Sequence, residues 1–183
     1  MVTTRQRPTA RKLDWRAFLR FPSDGRRHEL LDGKHVVTPP PDISHQRACS
    51  SLHVQLGNHV RRRQQGEVLA GPIGLKLADH TVVEPDLLVV LAAPARSLRG
   101  LVDQAPDLVV EVLSPGTRRN DRGRKMRQYA AAGVPEYWIV DLRAKVVEQY
   151  VLRDGTYELS GAHQRRIALQ RAPDVTVDLG ELW

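Results

Sequence analysis

"PDLVVEVLSP", residues 106–115, places a glutamate inside an otherwise apolar run. Val109, Val110, Val112 and Leu113 surround Glu111, and Pro106 and Pro115 bound the stretch. A continuous β-branched run of this length predicts a strand covered on both faces. An isolated carboxylate in such a strand loses its hydration or takes up a proton. Glu111 therefore needs a partner, and the fold has to bring it.

Downstream, "NDRGRKMRQYAAAG" (120–133) has helical periodicity, with Asn120 or Asp121 as N-cap and Gly133 as the closing residue. "EYWIVD" (136–141) reads as a strand. Strand, helix, strand implies a parallel pair joined by a right-handed crossover. Upstream, "LDWRAFLRF" predicts a short helix with Leu13, Phe18, Leu19 and Phe21 on its apolar side. "HELLDGKHVV" predicts a hairpin turning at Asp32-Gly33, stopped by "TPPPD". Residues 43–65 are helical, with Gly66 placed to cap them. "EVLAG", "IGLKLAD" and "TVVEPDLLVVLA" read as antiparallel strands, and "APARSLRGLVDQA" as a surface loop. "KVVEQYVLRDGTYEL" is a second hairpin, and "PDVTVDLGELW" ends in one more short strand. The expected fold is α/β in the α+β sense: a mixed β-sheet core flanked by helices, with an N-terminal helix and hairpin. Residues 1–12 form a flexible arm in this reading, and 13–183 a single domain.

The chain has 183 residues, enough for a sizeable core, and 41% of them are hydrophobic. No apolar run approaches a membrane span, and the basic N-terminus lacks a secretory h-region. Cys49 is the only cysteine, which excludes an internal disulfide and suits a reducing cytoplasm. The net charge of +7 suits a polyanionic partner such as nucleic acid. Arginine-rich coding accounts for it equally well, since only five of the 28 basic residues are lysines.

Two strands begin with Pro-Asp, at Pro85 and Pro106. If they pair antiparallel with Val90 opposite Asp107, Asp86 falls opposite Glu111 on the same face. A slip of one residue destroys this arrangement. Two close carboxylates repel unless a proton or cation lies between them. Mg²⁺ (or Mn²⁺) suits such a pair, because it takes hard oxygen ligands and keeps several waters. Lys125 lies about 40° from Tyr129 on the helix, at the edge of its apolar stripe of Met126, Tyr129, Ala130 and Gly133. From there it reaches back towards Glu111, where a lysine helps orient or activate an attacking water.

"EPDLLVV", "PDLVVEVLSPGTRRNDRGRKMRQYAAAGVPEYWIVD" and "HELLDGKHVV" resemble a bacterial restriction-endonuclease-like family of the PD-(D/E)XK nuclease superfamily. The resemblance runs from about Trp15 to the C-terminus. It implies a restriction-endonuclease-like fold and a Mg²⁺-dependent endodeoxyribonuclease. It makes Asp86 and Glu111 the catalytic acids and metal ligands, Lys125 the lysine that has moved to the following helix, and Glu29 an assisting acid. Leu113 stands where the superfamily usually has its lysine, and Lys34 where the family's hairpin commonly has glutamate. A homodimer fits cutting of both DNA strands.

Each residue also has a plainer reading. Asp86 could cap a strand, Glu111 could pair with an arginine, Lys125 could belong to a solvated basic face, and Glu29 could pair with Arg26 or Arg27. His45, Cys49 and His53 form one helical stripe, but two full turns separate its ends, so one ion cannot take all three. His45 with Cys49 could hold zinc, yet no second cysteine supports that, and Cys49 is read as core. The alternative function is a catalytically silent nuclease fold that binds DNA or a protein partner.

Overall fold

The computed structural model describes residues 12–183 except 63 and 65. The expected arm at 1–12 therefore lies, apart from Lys12, outside the described residues. The elements run α1 (Trp15–Phe18), β1 (Arg27–Leu31), β2 (Lys34–Thr38), α2 (Ile43–Arg62), β3 (Gly66–Ala70), β4 (Leu75–Ala78) and β5 (Thr81–Val83). They continue β6 (Leu87–Leu91), β7 (Ser97–Leu98), β8 (Leu101–Val102), β9 (Leu108–Val112), α3 (Arg118–Asn120), a π-helical turn (Asp121–Lys125) and α4 (Met126–Ala131). The chain closes with β10 (Glu136–Asp141), β11 (Val146–Arg153), β12 (Thr156–His163), β13 (Arg166–Ala168), β14 (Thr176–Asp178) and a 3-10 turn at Leu179–Leu182.

The central sheet has the order β12-β11-β10-β9-β6-β3. β9 and β10 are parallel, as the strand–helix–strand pattern requires, and every other pair in this sheet is antiparallel. Alternation along β6 and β9 divides the core. Leu87, Val89, Val110 and Val112 pack beneath α2 together with Trp138 and the C-terminal Ile167, Val175, Val177 and Leu179. Leu88, Val90, Val109, Tyr137 and Ile139 point the other way, against Tyr129, Val134 and a second sheet. That second sheet, ordered β2-β1-β5-β4-β8-β7, makes the molecule a sandwich on one side and helix-covered on the other.

Several expectations change in detail. "TVVEPDLLVVLA" is two strands, β5 and β6, in different sheets. Pro85 has no N–H for a ladder, so the chain leaves one sheet there and enters the other. The expected surface loop contains the small hairpin β7–β8, which buries Leu101 and Val102 and turns at Arg99-Gly100, both with positive φ. The N-terminal helix is a single turn begun by Asp14, which accepts the N–H of Ala17, and it buries Trp15 while leaving Leu13 and Leu19 exposed. α2 ends at Arg62, and it is Gln64 rather than Gly66 that follows it in the left-handed region. Gly66 instead opens β3, paired with Leu91, and glycine is required there because a Cβ would stand 1.9 Å from the Val90 carbonyl oxygen. The Asp32-Gly33 hairpin forms as expected, with φ of 53° and 80°.

Candidate active site

β6 and β9 pair Leu87 with Val110, Leu88 with Val109 and Val89 with Leu108. Continued by one step, this register sets Asp86 opposite Glu111, as the sequence predicted. Asp86 lies just before β6, with its side chain bound on three sides. Its Oδ2 accepts the Val112 N–H at 2.8 Å and stands 3.1 Å from His45 Nε2. Its Oδ1 accepts from Arg27 Nη2 at 2.6 Å. Burial opposes the charge, but His45 and Arg27 outweigh it and hold the carboxyl at about 2.

Glu111 finds its partners on the crossover segment. Lys125 Nζ lies 2.5 Å from Oε1, and the Tyr129 hydroxyl donates to the same oxygen at 2.6 Å. Lys125 also lies 2.9 Å from Glu29 Oε1, which accepts the Glu84 N–H as well. The four residues singled out from sequence thus converge: Glu29 and Glu111 share Lys125, and Asp86 adjoins them through the strand register. Glu29 pairs with Lys125, whereas Arg27 goes to Asp86. Lys125 is interior, at 1% exposure, and not on a solvated face.

The helix expected to begin at Asn120 or Asp121 starts earlier, at Arg118, with Thr117 as its N-cap residue. Asp121 is consequently internal, at the start of the π-helical turn. Four α-helical residues accumulate about 40° of drift, and the wider π turn reverses it. Asp121, Lys125 and Tyr129 therefore stay in register on the buried side. Neither carboxylate oxygen of Asp121 has a hydrogen-bond partner, and Lys125 Nζ is 3.7 Å from Oδ1.

The charges of this cluster do not balance. Glu29, Asp86, Glu111 and Asp121 are four buried carboxyls, against the permanent cations Arg27 and Lys125. Burial pushes Glu111 up to about 8 despite Lys125, with Asp121 and Asp86 adding to the rise. Burial likewise raises Asp121 against the pull of Lys125. Lys125 moves the opposite way: burial works against its charge, but Glu111, Glu29 and Asp121 hold its pKa above the ordinary lysine range. Two protons or one divalent cation would make the cluster neutral. An all-oxygen donor set with two unfilled negative charges and an orphaned carboxylate fits a hard ion such as Mg²⁺.

Arg27, His45, Asp121 and Tyr129 complete the cluster and were not chosen from sequence. Arg27 had a signal, since it alternates with Glu29 along β1. Asp121 and Tyr129 had one too, at i−4 and i+4 from Lys125. His45 had none that named its partner, which arrives from β6.

Arg27 and His45 also line a cavity of about 280 Å³ walled by Pro39–Pro41 and Ser114–Thr117. A neighbouring cavity of about 460 Å³ shares His45, Ser114 and Pro115 and adds Arg47, Arg143 and Lys145. A groove with basic residues along it thus reaches the two residues that hold Asp86.

Acid, acid and lysine gathered at the end of a central mixed sheet define a restriction-endonuclease-like protein. The crystal structure of a protein described as a "putative nuclease belonging to DUF820", from Anabaena variabilis ATCC 29413, has this fold, with a TM-score of 0.76. It is 19% identical over 93% of this chain and 97% of that one. Residues 15–180 match the family described as "Uma2: Putative restriction endonuclease", and the chain belongs to that family. No curated protein matches it. Among the described residues, no helix is long and apolar enough to cross a membrane.

Proposed function

We propose that the protein is a metal-dependent endonuclease that hydrolyses phosphodiester bonds in DNA. The observation that carries this reading is the buried cluster of four carboxyls and two cations behind a basic groove. Asp86 and Glu111 would hold Mg²⁺ or Mn²⁺, which when bound supplies Lewis acidity at the phosphate and a more acidic water. Glu111 offers Oε2, since Lys125 and Tyr129 both engage Oε1. Arg27, lining the cavity beside Asp86, meets an entering phosphate with a planar pair of donors. Lys125 stays an ammonium among its carboxylates, so it serves as a donor that orients the attacking water and steadies developing negative charge, with Glu29 fixing its position. Cutting both strands of a duplex takes two such sites, which favours a homodimer. The lone thiol suits the cytoplasm.

One observation favours a silent DNA- or protein-binding scaffold instead. Arg27 and Lys125 already pair with Asp86 and Glu111, so the cluster has partners of its own. Calorimetric titration with Mg²⁺ and Mn²⁺, with Ca²⁺ as control, separates the readings when followed by cleavage assays on DNA. The endonuclease binds the ion and cuts, and Asp86→Ala and Glu111→Ala each lose both properties while keeping a cooperative thermal transition. Wild-type protein that binds no ion even with DNA present is the scaffold.

A further inference from the structure

His45 and Cys49 stand one turn apart on α2, and the Cys49 sulfur lies 3.5 Å from His45 Nδ1. The other ring nitrogen, Nε2, faces Asp86 Oδ2 at 3.1 Å. One ligand atom from each of His45, Cys49 and Asp86 falls within 4.8 Å of the others. All three residues are buried, and a cavity of about 80 Å³ opens onto them, lined also by Arg27 and His53. The proposed hydrolysis uses neither the thiol nor Nδ1.

We propose that His45 Nδ1 and Cys49 Sγ form a second cation site, for a thiophilic divalent ion such as Zn²⁺, with Asp86 as its positioning carboxylate. Zinc takes nitrogen at about 2.0 Å and sulfur at about 2.3 Å, so two ligands at a tetrahedral angle stand about 3.5 Å apart. The separation of Cys49 Sγ and His45 Nδ1 is already 3.5 Å. A histidine that binds metal through one nitrogen characteristically donates the other N–H to a carboxylate, which fixes the ring and the tautomer. His45 has this arrangement with Asp86 before any ion arrives. The ion replaces the thiol proton, which leaves to solvent, and water fills the remaining positions in the cavity. Thiolate softness selects zinc-like ions over Mg²⁺.

The site has a regulatory consequence. A metal-bound imidazole is a stronger Nε2–H donor, so it tightens its hold on Asp86 Oδ2 and draws that oxygen from the position shared with Glu111. Zinc then inhibits cleavage. This consequence rests on the endonuclease reading, whereas the binding does not.

Titration with Co²⁺, followed by absorption spectroscopy, tests the site without any nuclease assay. Wild-type protein gains a thiolate-to-cobalt charge-transfer band that Zn²⁺ bleaches. Cys49→Ser and Cys49→Ala lose it while melting cooperatively, and Asp86→Asn weakens binding about 10–100-fold. Glu111→Gln keeps the band, which places the ion away from the hard-oxygen position. A wild-type protein without the band at saturating Co²⁺ overturns the proposal, as does a band that survives in both Cys49 variants or disappears in Glu111→Gln. Cleavage by wild-type protein in Mg²⁺ is read separately, so a failed endonuclease reading leaves this result standing.

Discussion

Lys125 is the one ammonium among Glu29, Glu111 and Asp121, at 2.9, 2.5 and 3.7 Å. Removing one partner of a buried ion cluster strands the others, at a cost of about 3–5 kcal/mol. Lys125→Met should lower unfolding stability by that amount in urea, although its apolar surface suits the interior. A loss below about 1 kcal/mol would mean that the acids are protonated and need no lysine. The demand for a partner was legible at Glu111, because no apolar strand tolerates a lone carboxylate. The partner was legible only as a direction, through the placing of Lys125 near the inner stripe of its helix. That the same lysine also reaches Glu29 depends on β1 lying over the crossover segment, and no local pattern carries such a contact.

At the scale of elements, β3 is an edge strand whose pairing with β6 depends on one glycine. Gly66 has φ +134° and a neighbouring carbonyl where a Cβ would sit. Gly66→Ala should cost about 1–3 kcal/mol or more, read as a lower melting temperature, because both the backbone and the Val90 oxygen must yield. The sequence offered Gly66 as a helix cap; its real reason is a close approach from another strand. The crossover helix is tied to β10 through Arg118, which donates to Asp141 at 2.7 Å. Burial opposes ionisation of Asp141, but the amides of Ala144 and Arg143 and the Arg118 guanidinium outweigh it and keep its pKa low. A depressed carboxyl stabilises the fold above its unfolded pKa and loses that contribution as pH falls through the folded value. Asp141→Asn should therefore be less stable than wild type at neutral pH, with the two converging in acid. Parallel denaturation curves at every pH would remove Asp141 from the account of acid sensitivity.

Over the whole molecule, a net charge of +7 is a weak signal by itself. Position gives it meaning, since Arg47 from α2 meets Arg143 and Lys145 from the β10–β11 turn to line one cavity beside His45. If DNA lies along this groove, affinity should fall steeply with salt, as log Kd against log salt concentration measured by fluorescence anisotropy. Replacing any one of the three by alanine should reduce the slope by about one. Slopes equal to wild type in all three variants would move the nucleic acid elsewhere. The second sheet is also a property of the whole: β5 and β6 are nearly contiguous in sequence yet belong to different layers.

Periodicity and punctuation determined most of the elements, because helices, strands and Asp-Gly turns are specified by neighbours in the chain. The same patterns determined the parallel β9–β10 pair, whereas the Asp86–Glu111 register was one of the alignments that two Pro-Asp starts allow, and the β6–β9 pairing selected it. Only the tertiary structure decided that Arg27 sits on Asp86, that His45 turns one nitrogen to Asp86 and the other to Cys49, and that Asp121 is interior. The two contacts to Asp86 join residues from separate elements. Their energies depend on burial and on charges a few ångströms away in space, which spacing along the chain does not encode.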